Sequence, residues 1–523
     1  MKFTYLFKLK KKVSYLIVFT IVFVLVINIY APIISSKEIA SSKANIKRAK
    51  ATLADSSRDI SSDLMCFNVN TTLVNSWSDE QFLSAVKPLN SRLLRIPGGT
   101  VASYWDWRKG GIIDDISSLP EGLPRFLRYK ARRYTAGTLP EFQAGLQATN
   151  TTPIFVLNLL TSDLESQLEM LKTARDLGMP VKYIELGNEL YFNIKNYKQV
   201  FPQPEDYATV ASEWTSVLKQ EFPDAKIAVL GVVPKPEKPP RLQNWHRHLF
   251  GDEGATPADA VTLHVYPSHG LDDDNKSYKS YPYFTGKDVP IILGEPFREW
   301  QRMRENDAFK LIPEDRKIWL TEYNLMDKGV ARTRGEKHKV IGSWAHGLYA
   351  MAMSLVFLEE PRVEIMCNHV LLGNSRFAAI LADEKSLLDP ENDNTSATPL
   401  SLSASGSALQ ILGEATDRMT TAQQIDFSDN TSLKGKDDFR YPALTGWMFS
   451  NDSSSKAVIL NLSFGKFSID LSDLFSENTS YEQIFGNPRT LVGDPQALDR
   501  NTGEIKGRII LPGHSVTKIS SGD

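Results

Sequence analysis

From about residue 62 the chain alternates short apolar runs with longer stretches of helical periodicity. The runs are Leu64–Asn68, Leu93–Ile96, Pro153–Asn158, Tyr183–Gly187, Ile227–Gly231, Val261–Tyr266, Ile318–Glu322 and Val363–Cys367. Each is too short for a helix and reads as a buried strand. Between them, Leu164, Leu168, Leu171 and Leu177 form a helical stripe behind the cap signal Ser162-x-x-Glu165. Tyr207, Val210, Ala211, Trp214 and Leu218 form another, and Ile341–Leu358 and Leu402–Thr416 predict two further helices. Eight strand–helix units predict an α/β protein whose residues 61–416 close into a (β/α)8 TIM barrel. A doubly wound open sheet is the alternative, but no phosphate-type glycine loop supports it.

After Asp417 the pattern changes to short alternating runs separated by Asn, Asp, Gly and Ser: Gly446–Ser450, Ala457–Leu462, Phe467–Leu471, Tyr481–Phe485 and Arg508–Leu511. They predict a β-sandwich domain over residues 417–523. At the other end, a basic segment 1–12 precedes an apolar run, residues 13–34. A basic flank followed by such a run reads as a signal anchor or a cleaved signal peptide, with the lysines on the cytoplasmic side and the rest outside. Residues 35–60 read as a Ser/Ala/Lys-rich linker with room for one strand at its end. The Asp-, Asn-, Ser- and Pro-rich stretch Asp383–Pro399 reads as a loop on the C-terminal face of the barrel, either a lid or a solvated insertion.

Composition narrows the chemistry. The 523 residues carry 60 basic and 62 acidic side chains, so no global charge favours nucleic acid as a partner. Eight histidines without an HExxH spacing give no metal site, and no cofactor motif is present. The two cysteines, Cys66 and Cys367, form no framework. Buried free thiols are the default reading, although the two fall on the first and eighth strands, neighbours in a closed barrel. Asn-x-Ser/Thr sequons include Asn150, Asn394, Asn430 and Asn478.

Two glutamates stand out, Glu189 in Ile184-Glu-Leu-Gly-Asn-Glu189 and Glu322 in Trp319-Leu-Thr-Glu322. They end the fourth and seventh predicted strands. Barrel enzymes place their chemistry at the C-terminal ends of the strands. Two carboxyl groups facing one gap there can cleave a glycosidic bond, one as an ionised nucleophile and one as acid/base.

Three segments in this order carry a resemblance. Arg95-Ile-Pro-Gly-Gly99, the Asn188-Glu189 pair and the Trp319–Glu322 strand resemble clan-A retaining glycoside hydrolases. The groups they resemble are the heparanase-like β-glucuronidases (family 79) and the α-L-arabinofuranosidases (family 51). The resemblance covers roughly residues 62–415 and implies a double-displacement hydrolase without cofactor, acting on oligo- or polysaccharide. It implies Glu189 as acid/base, Glu322 as nucleophile and Asn188 as a partner of the sugar 2-hydroxyl. It also implies that a residue ending the sixth strand, His264 or Tyr266, touches the nucleophile. Leu190 stands where many members have Pro. A cell-surface carbohydrate-binding protein without catalysis, or a transglycosylase, would use the same cleft.

Position adds further candidates. Arg95 ends strand two and is placed to hold Glu322 ionised. Trp105 follows the Pro-Gly-Gly turn and is the candidate sugar platform. Tyr323 flanks the nucleophile, Asn158 ends strand three and Asn368 lies at the end of strand eight. Glu185, within strand four, reads as a structural ion-pair partner. Glu295, the nearest rival to Glu322, reads as part of an insertion before strand seven. In that insertion Arg298, Arg302, Arg304 and Lys310 could serve an acidic sugar or form a solvated helix face.

Overall fold

The structure, a computed structural model, describes residues 46–521 apart from 114–136, 236, 252–255, 272–283, 327–339, 374–375, 383–399, 476–478 and 494. The basic segment 1–12, the apolar run 13–34, residues 35–45 of the 35–60 segment and the Asp383–Pro399 loop thus lie outside the described residues. No helix among the described residues is long and apolar enough to cross a membrane.

Eight parallel strands close a barrel: Met65–Asn68, Leu93–Ile96, Thr152–Val156, Tyr183–Glu185, Lys226–Leu230, Ala260–Val265, Lys317–Tyr323 and Val363–His369. They lie around the barrel in chain order, and the eighth closes on the first with Cys367 opposite Cys66. The ends differ from the expected runs by no more than two residues. Inward-facing side chains stack in layers. One layer is apolar and includes Leu93, Ile154, Tyr183, Ala260, Trp319 and Ile365. Two residues further along strands one, two and four, the same face carries Asn68, Arg95 and Glu185, all fully buried. An apolar plug thus supports a polar layer at the barrel mouth.

Cys66 and Cys367 belong to the apolar layer and are joined by a disulfide, which replaces the free thiols expected by default. The reason is register: the two face each other directly across the closing ladder.

Helices cover the barrel. Leu164–Asp176 is capped by Asp163, whose carboxylate accepts from Ser166 N at 2.8 Å, so the Ser162-x-x-Glu165 box is not the cap used. Pro204–Glu221 buries Tyr207, Ala211, Trp214 and Leu218 as the stripe predicts. Trp344–Phe357 is buried on every side, and Ala404–Thr416 packs beside it. Glu295 lies inside the helix Val289–Glu305 and is held there by both arms of Arg298, at 2.9 and 2.8 Å.

The C-terminal β domain is built on a nine-stranded sheet. Along Ser455–Asn461, Val458 and Leu460 join the barrel's core while Ala457 and Ile459 point into a second core. Phe467, Ile469, Ile509 and Leu511, from the paired strands Phe467–Asp470 and Arg508–Leu511, close that second core from the other side. One strand of the sheet comes from before the barrel: Lys47–Asp59 pairs antiparallel with Thr421–Phe427. The expected linker therefore ends in a 13-residue strand that belongs to the C-terminal domain. Its inward residues include the small Ala49 and Ala51, so the sequence shows little apolar alternation there.

Candidate active site

Arg95 organises the barrel mouth. Its guanidinium is fully buried and all five N–H groups are used. Nε and Nη2 grip Glu185 at 2.6 and 3.0 Å. Nη1 donates to Glu322 Oε1 at 2.8 Å and to Asn68 Oδ1 at 3.0 Å, and Nη2 also donates to Asn188 Oδ1 at 2.8 Å. Arg95, on strand two, thus fixes residues of strands one, four and seven. The turn after it depends on glycine: Gly98 has φ +89°, and a Cβ there would sit 1.5 Å from the Val69 carbonyl oxygen.

Glu322 reaches the cleft through a bulge. Trp319 pairs with Thr262 and Glu322 with His264, so the seventh strand uses three steps where the sixth uses two. Thr321 and Glu322 both turn inward: Thr321 Oγ1 donates to Glu185 at 3.2 Å while Glu322 meets Arg95. Tyr323 then points outward, its hydroxyl 2.7 Å from Ser354 Oγ on the covering helix. Glu322 Oε2 accepts from the Tyr266 hydroxyl at 2.6 Å, and Oε1 also accepts from Asn68 Nδ2 at 3.2 Å. His264 Nδ1 and His369 Nδ1 lie 3.7 and 3.6 Å from Oε2.

Glu189 arrives by a different route. Gly187, at φ +93°, turns the chain out of strand four, and Glu189 itself is left-handed at φ 52°. Its Oε1 lies 2.9 Å from His264 Nδ1 and accepts from the Tyr191 hydroxyl at 3.3 Å. A carboxylate oxygen from each of Glu189 and Glu322, with one nitrogen of His264, lie within 4.8 Å of one another.

Burial by itself would raise the Glu322 carboxyl, but the neighbouring His264, His369 and Arg95 and the Tyr266 hydrogen bond outweigh it. They hold the group far below the usual carboxylate range. Burial would lower His264, yet Glu322 and Glu189 draw it above its ordinary value. His369 stays below its ordinary value because burial prevails over the pull of Glu322. Glu189, His264 and Glu322 also have the spacing of a metal cradle. Within that group Arg95 Nη1 already donates to Glu322 Oε1.

Of the sequence candidates, the structure brings together Glu189, Glu322, Asn188, Arg95, His264 and Tyr266. Asn188 has its Oδ1 on Arg95 and its Nδ2 buried without a partner, a donor left for something entering the cleft. Four candidates are corrected. Trp105 is a core residue: its ring packs on Phe142 at 5.5 Å and its Nε1 donates to the Gly137 carbonyl. Tyr323 faces the helix layer, as the bulge requires. Asn158 spends its side chain on the loop it opens, accepting from Leu160 N and Thr161 N and donating to Thr161 Oγ1. Asn368 donates to the Tyr323 carbonyl at 3.2 Å and alternates out of phase with inward Cys367 and His369. Asn68, His369 and Tyr191 were missed. The first two are signalled only by standing two residues beyond Cys66 and Cys367 on the same strand faces.

No protein-family model matches the chain. Among curated proteins, one named "Probable alpha-L-arabinofuranosidase C" from Aspergillus clavatus is 27% identical over 179 residues, 30% of this chain. The match spans about a third, 34%, of that relative's length. A family 51 α-L-arabinofuranosidase from Bifidobacterium longum superposes with a TM-score of 0.65 at 15% identity, covering 91% of this chain and 100% of that one. A 4-O-α-L-rhamnosyl-β-D-glucuronidase from Fusarium oxysporum superposes with a TM-score of 0.53 at 11% identity, covering 91% and 99%. The chain thus has the fold of these clan-A glycoside hydrolases, a TIM barrel with a C-terminal β domain, and resembles both groups.

Proposed function

We propose that the protein is a retaining O-glycosyl hydrolase in which Glu322 is the nucleophile and Glu189 the acid/base. The observation that carries this reading is the separation of the two carboxylates. Retaining enzymes hold theirs about 5–5.5 Å apart, and inverting ones about 6.5–9.5 Å apart to admit a water. Oxygens within 4.8 Å of each other suit the retaining route. The environments divide the roles. Glu322, kept ionised by Arg95, His264 and Tyr266, attacks the anomeric carbon. Glu189, less enclosed with its side chain 20% exposed, protonates the leaving oxygen and then activates the water that releases the sugar. Asn188 Nδ2 donates to the hydroxyl beside the anomeric carbon.

An arabinofuranoside is the substrate we favour, because the similar curated proteins and several similar structures bear that activity in their names. The basic residues that could have served a uronic acid have structural partners: Arg298 pairs with Glu295 and Arg302 with Glu299 along one helix. The apolar run 13–34 would export the protein or tether it to a membrane. The disulfide supports maturation outside the cytoplasm, since such bonds persist in oxidising compartments.

A panel of aryl glycosides tests the reading. The wild type should cleave the α-L-arabinofuranoside in preference to the β-D-glucuronide. Glu322→Ala and Glu189→Gln should each lose at least about 1,000-fold in turnover of the active glycoside while remaining folded. Full activity in the Glu322 variant contradicts the assignment.

A further inference from the structure

We propose that the Cys66–Cys367 disulfide is a positioning element for the nucleophile, acting through Asn68 and His369. The inference rests on Glu322 being that nucleophile. The bond joins the first and last strands of the barrel, across 301 residues of sequence. The ladder there sets Cys367 opposite Cys66 and His369 opposite Asn68. Because side chains on a strand repeat every two residues, the disulfide lies directly beneath the Asn68–His369 rung. That rung holds Glu322. Asn68 Nδ2 donates to Oε1 at 3.2 Å, Asn68 Oδ1 receives Arg95 Nη1 at 3.0 Å, and His369 Nδ1 lies 3.6 Å from Oε2 and contacts Asn68 Nδ2.

This seam needs fixing. The first strand has four residues, and parallel pairing is slightly weaker per residue than antiparallel. A cross-link anywhere along the seam would add stability. One placed a single side-chain step below the rung also sets the height of Asn68 and His369 against the carboxylate. A displacement of about 1 Å at such a site can cost on the order of 100-fold in rate.

The test compares the wild type with Cys66→Ala/Cys367→Ala, each with and without Asn68→Ala. In the disulfide-free enzyme kcat on an aryl glycoside should fall by up to roughly 100-fold with little change in KM. The acid limb of kcat/KM should move to higher pH, because Glu322 loses neighbours that keep it ionised. Asn68→Ala should cost less in that background than in the native one. A disulfide-free enzyme that melts lower but keeps the native kcat and acid limb, or strictly additive costs, overturns the proposal. If the double alanine variant does not fold, the same profile is taken on Cys66→Val/Cys367→Ala, which refills the volume of the lost sulfurs. A wild type without turnover counts against the proposed hydrolase and leaves the positioning role to NMR. In that case the His369 titration should move toward about 6.5 without the disulfide, and an unchanged titration overturns the role.

Discussion

At the scale of single residues, the candidate site is a balance of charges around one guanidinium. Arg95 has two buried carboxylates and two amide oxygens on its five donors, so its removal strands Glu185 in the barrel. Arg95→Met should cost about 3–5 kcal/mol in urea denaturation, the usual penalty for breaking a buried pair. A near-neutral result would mean that Glu185 finds another partner. His264 Nδ1 lies 3.7 Å from Glu322 Oε2 and is among the neighbours that lower that carboxyl. His264→Gln should therefore raise the acid limb of kcat/KM, whereas an unmoved limb would remove His264 from the electrostatics of Glu322. Legibility at this scale followed chain phase. Glu189, Glu322, Asn188 and Arg95 sit in segments whose residue order signals a strand end, and their convergence could be read. Trp105, Tyr323, Asn158 and Asn368 were chosen for chemical type near a strand end. Which way each points is set by alternation and by one bulge, and neither is visible without the ladder.

At the scale of elements, the eight barrel strands were legible because a parallel strand covered on both faces is a continuous apolar run. The strand Lys47–Asp59 was not, since alanines fill its inward positions. Ala51 is fully buried in the second core, so Ala51→Asp should lower the melting temperature sharply, while Ser56→Asp on the exposed part of the same strand should change it little. Equal effects would show that the strand is not part of that domain. Arg58 ties the strand to the barrel. Its guanidinium donates to the carbonyls of Leu358, Glu360, Pro361 and Val363, which lead from the helix Trp344–Phe357 into the eighth strand. The β domain is thus fastened to the barrel beside its closing strand.

At the scale of the whole molecule, barrel and β domain share one core, and buried histidines make its stability depend on pH. His346 accepts from Gly342 N through Nδ1 and donates through Nε2 to Asn324 Oδ1, so both nitrogens are satisfied only when the ring is neutral. His246 is held the same way, accepting from Val232 N and donating to the Ala308 carbonyl. Burial pushes them down to about 3 and about 4 respectively. A depressed folded value means that stability is complete above the unfolded value of about 6.5 and is lost as pH falls toward the folded one. Each group should cost on the order of 2 kcal/mol at pH 5. His346→Gln should accordingly shrink the loss of urea stability between pH 7 and pH 5 by about that amount, and an unchanged loss would exclude His346 as its source.

The proposed mechanism requires Glu322 to form a covalent bond to sugar. It is tested most directly by incubating the protein with a mechanism-based 2-fluoro or aziridine analogue of the sugar it hydrolyses, then mapping the labelled peptide by mass spectrometry. The expected result is one adduct per chain, on Glu322, absent in Glu322→Gln. Labelling of a different carboxylate, or sustained turnover with no covalent intermediate and inverted product, would contradict it.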